Sequence, residues 1–460
     1  MCIRDRYIGD WDFYQKYLLL AIPMILQNAI TNLVSFLDNI MVGQLGTEQM
    51  SGVAIVNQLI FVYNLAIFGA VSAASIFGAQ YFGKGNHKGH MYSFRFKLYA
   101  TLLVTGGAIL LFLTKGSALI SLYLTDTVGN GATDLALQYG LEYLAIMMVG
   151  LIPFAVNQSY ATNIKETGQT FIPMLASFVA VGTNAILDYL MIFGIGPFPE
   201  LGVQGAALAT VIARYIEALI VVIWAHIHRG KNRYLEGAYT GFGIPLAELK
   251  AILIKGFPLM MNEVLWAAGM TTVTQCYSVR GLDVVAGLNI ASTITNLFNI
   301  VYLQLGSCIS IVVGQYLGAG KLEDAKDADN KMIVFSVFCC VIMAALMFVV
   351  GGFFPGIYNN TEEIRELATS FIAVSAIIMP FCAFSHASYF TLRSGGKTVV
   401  TFLFDSVFTW VIVVPAAYLL AHFTGLGIVS IYFLVQGTEL IKVIIGYLMV
   451  KSNVWVVQMV

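Results

Sequence analysis

Long apolar stretches, separated by short polar connections, follow one another along the whole chain. The twelve stretches cover residues 17–41, 51–79, 92–114, 135–160, 170–195, 203–227, 247–276, 284–315, 331–354, 366–391, 398–422 and 426–450. A helix needs about 20 residues to cross a bilayer, and only helices or closed barrels can span one. The pattern therefore predicts an all-α membrane protein with twelve transmembrane helices.

The composition agrees with this interpretation. Of 460 residues, 58% are hydrophobic and only 11% are charged, whereas soluble domains carry roughly 25% charged residues. A soluble fold could not hide so much apolar surface. The net charge of −1 argues against a nucleic-acid partner, so the expected partners are the lipid bilayer and a small molecule.

Lysine and arginine concentrate in alternate connections. One set contains Lys84, Lys88, Arg95, Lys97, Lys165, Arg229, Lys231, Arg233, Lys250, Lys255, Lys321, Lys326, Lys331, Arg393 and Lys397. The other set contains little beyond Lys115, Arg280 and Arg365. Basic loops stay in the cytoplasm, so both termini are predicted to be cytoplasmic.

An internal repeat relates the two halves of the chain. AQYFGKG at 79–85 corresponds to GQYLGAG at 314–320, and Pro23 corresponds to Pro258 at the same offset of 235. Further along, KETGQT at 165–170 corresponds to RSGGKT at 393–398, at an offset of 228. Six spans per half is an even number, so the repeats run parallel and form two pseudo-symmetric six-helix lobes.

The repeat and the charge pattern divide the chain into five parts. We predict a tail at 1–12, an N-lobe at 13–228, a cytoplasmic linker at 229–246, a C-lobe at 247–450 and a tail at 451–460. The opening MCIRDR has no apolar region and is not a signal peptide. It looks like a translated sequencing-adapter remnant, so residues 1–6 are expected to be an artefact.

One carboxylate interrupts the first apolar stretch, in FLDNIMVG at 36–43. An aspartate at the centre of a membrane helix costs about 2.5–3.5 kcal/mol on insertion scales. Asp38 is therefore expected to face a cavity or a partner. The alternative is a side chain that reaches the outer interface or caps a helix end.

A second carboxylate stands in NAILDYL at 184–190. Asn184 and Asp188 share one face of span 5 because they are four residues apart. Thr210 begins span 6 at a similar depth. These groups and Asp38 could bind Na⁺, a hard cation, or two carboxylates could share a proton. The alternative is a polar network that only joins helices.

Several motifs together resemble the multidrug and toxic compound extrusion (MATE) family: FLDNIMVGQLG, AQYFGKG, NAILDYLMIFG, GVQGAALATVIAR and the tail with Trp455. The resemblance covers the chain after residue 10. It implies a multi-pass transporter of the bacterial cytoplasmic (inner) membrane. Asp38, Asn184, Asp188 and Thr210 match the family's N-lobe cation-site pattern, and Asn157 on span 4 is a further candidate.

The C-lobe departs from the family pattern. Glu263 follows Pro258 in span 7, but NorM-like members carry this glutamate about one turn further on and pair it with an aspartate in span 10. Span 10 here offers His386, expected to be a hydrogen-bonded bundle residue. A second Na⁺ site is therefore doubtful, and Glu263 could contact a cationic substrate or only pack. Other residues that could line a cavity are Gln58, Tyr63, Gln275, Asn289, Asn296 and Tyr389.

Two pairs of opposite charge lie three residues apart on apolar helices: Arg214 with Glu217, and Glu439 with Lys442. Intrahelical ion pairs make burial less costly, so both are predicted to be structural pairs. The cysteines form no ligand or CxxC spacing and are expected to be reduced packing residues.

The function predicted from these observations is secondary active export of drug-like, often cationic molecules in exchange for H⁺ or Na⁺. No phosphate loop of the GxxxxGK[ST] type is present, so no ATPase subunit, enzyme activity or cofactor beyond the coupling ion is expected, and a monomer suffices. Two alternatives are a lipid-linked oligosaccharide flippase of the same superfamily and, less well supported, a polytopic membrane transferase.

Overall fold

The protein is described by a computed structural model that covers residues 7–124, 130–241, 243–358 and 360–460, with the backbone alone at 34–37, 39 and 130–132. The predicted artefact at 1–6 lies outside these residues. Within them the chain forms α1 (Trp11–Gly43), α2 (Thr47–Lys84), α3 (His87–Ser121), α4 (Asn130–Glu166), α5 (Phe171–Ile192), α6 (Val203–Ile227), α7 (Leu246–Ser278), α8 (Leu282–Gly318), α9 (Leu322–Gly351), α10 (Glu362–Ser394), α11 (Thr398–Phe423) and α12 (Ile428–Lys451). The helices α2–α12 are long and apolar enough to cross a membrane. The predicted all-α fold is confirmed.

The last two helices are irregular. In α11, two π-helical turns, Leu403–Val407 and Thr409–Val413, precede a final α-helical segment, Val414–Phe423. In α12, the segments Ile428–Gly437 and Glu439–Lys451 meet at Thr438. π turns are rare and occur often at functional sites, so α11 is a candidate to carry functional residues.

The internal repeat is visible in the backbone. Pro23 and Pro258 lie inside α1 and α7. Gly85 and Gly320, which end the two repeated AQYFGKG and GQYLGAG motifs, both have φ of +73°. A positive φ is readily adopted only by glycine, so the two halves turn in the same way after α2 and after α8.

The helices form two compact units that do not simply follow chain order. The C-terminal unit contains the chain up to Ile25, the segment Ala79–Asn86 and the long stretch Ala251–Val460. The N-terminal unit contains Leu26–Gly78 and His87–Lys250. The helices α1 and α2 therefore each contribute to both units. The predicted lobes at 13–228 and 247–450 divide the chain by sequence order and stay a prediction.

Each unit has its own apolar core. In the N-terminal unit, one cluster is built around Val56, Leu151 and Ala207, and a second surrounds Phe94 and Tyr234. In the C-terminal unit the clusters contain α8 and α10 residues packed against α9, and the larger one also contains α11 and α12 residues. Membrane helices associate through van der Waals packing and hydrogen bonds, because lipid is as apolar as the side chains, so the close packing in these clusters fixes the helices that carry the polar sites.

The two repeated motifs cross each other within the C-terminal unit. A Cβ atom on Gly83 would overlap the carbonyl oxygen of Gln315, and one on Gly318 would overlap the carbonyl oxygen of Gln80. Each motif thus places its glycine against the glutamine of the other. Small residues let helix backbones approach closely in membrane proteins, so this reciprocal crossing requires glycine at both positions.

The C-terminal tail is hydrogen-bonded to this crossing. The Gln80 side chain donates to Ser394 O at 2.9 Å and to Val457 O at 3.2 Å, and it accepts from Met459 N at 2.8 Å. Trp455 is 1% exposed. A buried amide whose oxygen and nitrogen both have partners is well satisfied, so the tail holds the end of α2 through this one side chain.

Two basic residues that were predicted to lie in a connection are buried in α3 instead. The connection between α2 and α3 consists of Gly85 and Asn86 alone. Lys97 is fully buried, forms an ion pair with Glu166 at 2.5 Å and donates to Asn163. The expectation that Lys97 is a loop cation was wrong, because α3 begins early enough to carry it into the interior.

Arg95 fixes the linker between the repeats. Its guanidinium donates to Gly237 O at 2.6 Å, Ala238 O at 2.9 Å and Gly243 O at 2.8 Å. Arg95 is 6% exposed, so it too is not a loop residue. Planar guanidinium groups suit several carbonyl acceptors at once, and the linker is therefore docked on the N-terminal unit.

Candidate functional site

Asp38 and Asp188 lie near equivalent ends of their helices in the N-terminal unit. Asp38 stands five residues before the end of α1, and Asp188 four residues before the end of α5. Asp188 is 1% exposed, and Asp38 is half-buried. The structure thus brings the two predicted carboxylates to one place from two helices.

The side chains of Asp38 and Asp188 lie close enough to interact with each other, and the Asn184 amide interacts with the Asp188 carboxylate. At hydrogen-bond geometry, however, Asp38 Oδ1 and both Asp188 oxygens have no partner among the described residues. Buried polar atoms in proteins are nearly always satisfied. Three unsatisfied carboxylate oxygens suit a bound Na⁺, which prefers oxygen ligands, or a proton shared between the groups.

Asn184 and Thr210 complete this site from α5 and α6. The Asn184 Nδ2 atom donates to Thr210 Oγ1 at 3.4 Å. Asn184 is 6% exposed. This long hydrogen bond joins Thr210 to Asn184, which lies on the same face of α5 as Asp188. The four residues predicted as one site are therefore close enough to act as one, while their role in coupling stays a prediction.

Asn157 belongs to a neighbouring network instead. Its side chain acts on Glu217, which also accepts a hydrogen bond from Ser177. Gln27 in turn donates to Ser177 at 2.7 Å. Asn157 Oδ1 is buried and has no partner among the described residues. Among the described residues no hydrogen bond joins Asn157 to Asp38, so the structure gives no direct support for including Asn157 in the cation site.

The predicted ion pair between Arg214 and Glu217 was wrong for the described structure. Arg214 donates to Gly150 O at 3.4 Å, and its guanidinium lies 5.1 Å from the centre of the Phe154 ring. Glu217 is bonded to Ser177. Residues three apart on a helix are neighbours, but here each side chain finds a better partner on another helix.

Tyr143 is a site residue that the sequence did not reveal. It is 5% exposed on α4, and its hydroxyl donates to Asn57 Oδ1 at 3.4 Å. It acts electrostatically on Asp38, Asp188 and Arg214. A tyrosine in an apolar helix carries no sequence signal of its own, because tyrosine is common in such helices. Tyr143 places a polar hydroxyl beside the carboxylate pair.

The C-terminal unit contains a carboxylate that was also missed. Asp405 on α11 forms an ion pair with Lys442 Nζ at 2.9 Å and accepts from Asn262 Nδ2 at 3.0 Å. The predicted pair between Glu439 and Lys442 was therefore wrong. Asp405 is the acidic residue in the apolar stretch 398–422, and its cost of insertion there was a signal that could have identified it.

Glu263 lies beside this network. It is half-buried and acts electrostatically on Asp405 and Arg393. Tyr389 is 8% exposed and accepts a hydrogen bond from Asn262 at 3.4 Å. A second carboxylate, Asp405, thus lies near Glu263. It comes from α11 and is paired with Lys442, whereas the family resemblance implied an aspartate partner on span 10.

The remaining cavity candidates divide into two groups. Tyr63 is 4% exposed and bonded to Thr105 at 2.8 Å and Leu151 O at 3.0 Å, so it is a packing residue here. His386 bonds the Cys382 carbonyl at 2.9 Å, as expected of a bundle residue. The polar side chains that are exposed, as cavity-lining side chains would be, are Gln58, Gln275, Asn289 and Asn296.

Carboxylates within membrane-spanning helices typically mark an ion or substrate pathway, so fold and site together indicate a multi-pass membrane transporter. Comparison with known sequences makes this specific. The MatE family model matches residues 23–190 and 258–419, and the chain belongs to this family. The two matched ranges correspond to the two halves of the internal repeat.

Individual relatives span nearly the whole chain. The chain is 23% identical over 418 residues to "Probable multidrug resistance protein NorM" of Thermotoga maritima, with 90% of this chain and 87% of that protein covered. A protein of the same name from Halalkalibacterium halodurans is 24% identical over 413 residues, with 89% and 88% covered. The match includes both halves of the repeat.

Solved structures share the fold. A MATE transporter in the bent conformation has a TM-score of 0.85 at 20% identity, with 96% of this chain and 95% of that chain covered. An outward-facing multidrug resistance MATE transporter has a TM-score of 0.85 at 20% identity, with 97% and 96% covered. The predicted MATE-like architecture is therefore confirmed.

Proposed function

We propose that this protein is a secondary active multidrug exporter, which expels amphipathic, often cationic, small molecules in exchange for inward H⁺ or Na⁺. The observation that carries the proposal is the carboxylate pair of Asp38 and Asp188, which has three buried oxygens without a hydrogen-bond partner among the described residues. The relatives named multidrug resistance protein support the drug-like substrate class.

In this proposal the coupling ion binds between Asp38 and Asp188, and Asn184 and Thr210 orient it. An ion can bias alternating access only through different affinities for the two states. Two nearby carboxylates bind a cation well because it relieves their mutual repulsion, and we propose that they separate in the other state and bind the cation less tightly there. Loss of the ion on the low-concentration side would then return the transporter to its other state.

The driving force is sufficient for useful export. At roughly 150 mV, one inward charge supplies about 3.5 kcal/mol, from about 2.3 kcal/mol per 100 mV. At about 1.4 kcal/mol per decade, this sustains a concentration ratio of roughly 300 for a neutral substrate. We further propose cytoplasmic termini, from the distribution of lysine and arginine among the connections, together with a bacterial inner-membrane location and a monomer.

The test is transport of a fluorescent dication in vesicles, with H⁺ and Na⁺ gradients imposed separately. Asp38→Asn keeps size and polarity but removes the charge, so the variant should fold and lose gradient-driven transport. Asp188→Asn should do the same. Asp283→Asn is the matched control, since Asp283 is an exposed acidic residue in the first turn of α8.

The outcome distinguishes coupling from a structural role. Because Asp38 and Asp188 form one site, the double variant should transport little worse than either single variant. Transport by Asp38→Asn at the wild-type rate under both gradients would exclude a coupling role. Asp38 would then be a side chain that only reaches the interface or joins helices.

A further inference from the structure

The ammonium group of Lys442 is enclosed in a distinctive way. It forms its ion pair with Asp405 at 2.9 Å and lies 5.6 Å from the centre of the Phe404 ring and 5.8 Å from that of Phe408. Lys442 is 7% exposed, and both aromatic rings are buried. A carboxylate with two aromatic faces is the arrangement that proteins use to bind alkylammonium ligands.

The local backbone is built to present these groups. Asp405 lies within the first π-helical turn of α11, and Phe408 separates it from the second. Ser406 fastens this turn to α7, since its hydroxyl donates to Asn262 O at 2.7 Å and its amide donates to Asn262 Oδ1 at 3.3 Å. Two such turns in one helix are unusual and are held in place by specific bonds.

The internal repeat shows that the fold does not require this cage. At the offset of 228, the residues corresponding to Phe404, Asp405 and Phe408 in the N-terminal unit are alanine, serine and alanine: Ala176, Ser177 and Ala180. One hydrogen bond around these positions is the same in both units. Gln27 donates to Ser177 at 2.7 Å, just as its counterpart Asn262 donates to Asp405 at 3.0 Å.

The basic residue is retained but used differently. Arg214 corresponds to Lys442 at the same offset. In the N-terminal unit, Arg214 donates to the Gly150 carbonyl, and Ser177 bonds Glu217. Only the C-terminal unit combines a carboxylate, two aromatic rings and an ammonium group at these positions. A buried ion pair is weak evidence for stability, so the cage calls for another explanation.

A second acidic residue provides an alternative partner for Lys442. Glu439 lies one turn earlier on α12 and acts electrostatically on Lys442. Its Oε1 atom is buried and has no hydrogen-bond partner among the described residues. Residues three apart on a helix can pair directly. Lys442 therefore has two acidic neighbours, Asp405 on α11 and Glu439 on its own helix, and its bond is to Asp405.

We propose that Phe404, Asp405 and Phe408 form a binding site for the alkylammonium group of a cationic substrate. Lys442 occupies this site when no substrate is bound. An incoming alkylammonium takes its place at Asp405, and the lysine turns to Glu439. Before the exchange only Asp405 has a paired cation; after it, Asp405 and Glu439 each have one. This inference rests on the proposed export function and assigns its cationic substrates a site within the C-terminal unit.

The test uses purified protein in lipid nanodiscs with no ion gradient, and n-butylammonium as the probe. Lys442→Ala empties the cage, so n-butylammonium should raise the melting temperature of this variant saturably. The neutral n-butanol and an equal concentration of KCl should not. Lys442→Ala combined with Asp405→Asn keeps the space but removes the charge, and it should show no saturable shift. If Lys442→Ala does not fold, Lys442→Ser, which also removes the stem and the ammonium group, takes its place with the same expected saturable shift.

The wild-type protein tests the exchange itself. It should bind n-butylammonium at least about tenfold more weakly than Lys442→Ala, since a tethered competitor acts at a local concentration in the millimolar range. Glu439→Gln removes the alternative partner and should weaken wild-type binding further. Asp283→Gln, an exposed change on α8, should leave it unchanged.

Three results would overturn the proposal: no saturable effect on the emptied cage, an equal effect after Asp405→Asn, or no binding at all to the wild-type protein. The same titration in the Asp38→Asn variant separates this inference from the coupling mechanism. Binding there should be retained, because no ion gradient takes part in the measurement. Failure of the Asp38 transport test would leave this binding result intact.

Discussion

The reciprocal helix crossing makes a quantitative prediction about stability. Gly83→Ala would push a methyl group into the Gln315 carbonyl, so α2 and α8 must separate. Overpacking of this kind typically costs about 1–3 kcal/mol. Replacing a helical glycine by alanine returns about 0.5–1 kcal/mol. We expect a net loss of about 1–2 kcal/mol for Gly83→Ala, and the same for Gly318→Ala.

The double variant is the informative measurement. The two glycines lie at one crossing, so separation forced by the first methyl group also makes room for the second. The double variant should lose about as much as one single variant, which gives a coupling energy of about 1–2 kcal/mol. Unfolding in mixed micelles, followed by far-ultraviolet circular dichroism, measures these free energies.

A matched control comes from the same protein. Nothing lies within 4 Å of a Cβ atom on Gly106, in the middle of α3. Gly106→Ala should therefore be neutral or stabilise the protein by up to about 1 kcal/mol. Additive losses for Gly83→Ala and Gly318→Ala, or losses no larger than that of Gly106→Ala, would refute the close reciprocal contact.

Two further predictions concern other features. Lys97→Met removes the ammonium group that pairs with Glu166 at 2.5 Å and leaves that carboxylate its contact with His90 Nε2 at 3.3 Å. The variant should lose about 3–5 kcal/mol of unfolding free energy, adding Glu166→Gln should recover most of the loss, and a loss below about 1 kcal/mol would show that the Lys97–Glu166 pair contributes no more than a surface pair. Cysteines introduced at Gly85, Lys231 or Lys321 should react with an impermeant maleimide only from the cytoplasm, and labelling from outside intact cells would reverse the proposed orientation.

Much of the architecture follows from sequence patterns, because lipid leaves few choices. The twelve apolar stretches each correspond to a helix, although α9 begins at Leu322, nine residues before its predicted start. Polar N-terminal turns are invisible to a count of apolar residues. The same effect misplaced Arg95 and Lys97, which lie on early turns of α3 that fold into the interior.

Partners of buried charges were harder to predict than their positions. Spacing along one helix suggested that Lys442 pairs with Glu439, but the chosen partner is Asp405 on α11. That choice depends on the π-helical turns, which change the direction of side chains along the helix and leave no pattern in the apolar residues. By contrast, Asp38 and Asp188 could be associated because each was costly in its own helix.

The tail that holds Gln80 also has a consequence for synthesis of the protein. Met459 and Val457 leave the ribosome after all twelve helices, at about 5–20 residues per second, yet their bonds complete a crossing made by α2 and α8. During translation, the Gln80 amide can therefore form all three of its hydrogen bonds only after Met459 has been added. A chain truncated before Val457 would keep the bond from Gln80 to Ser394 O but would leave the Gln80 side-chain oxygen without the Met459 amide that satisfies it.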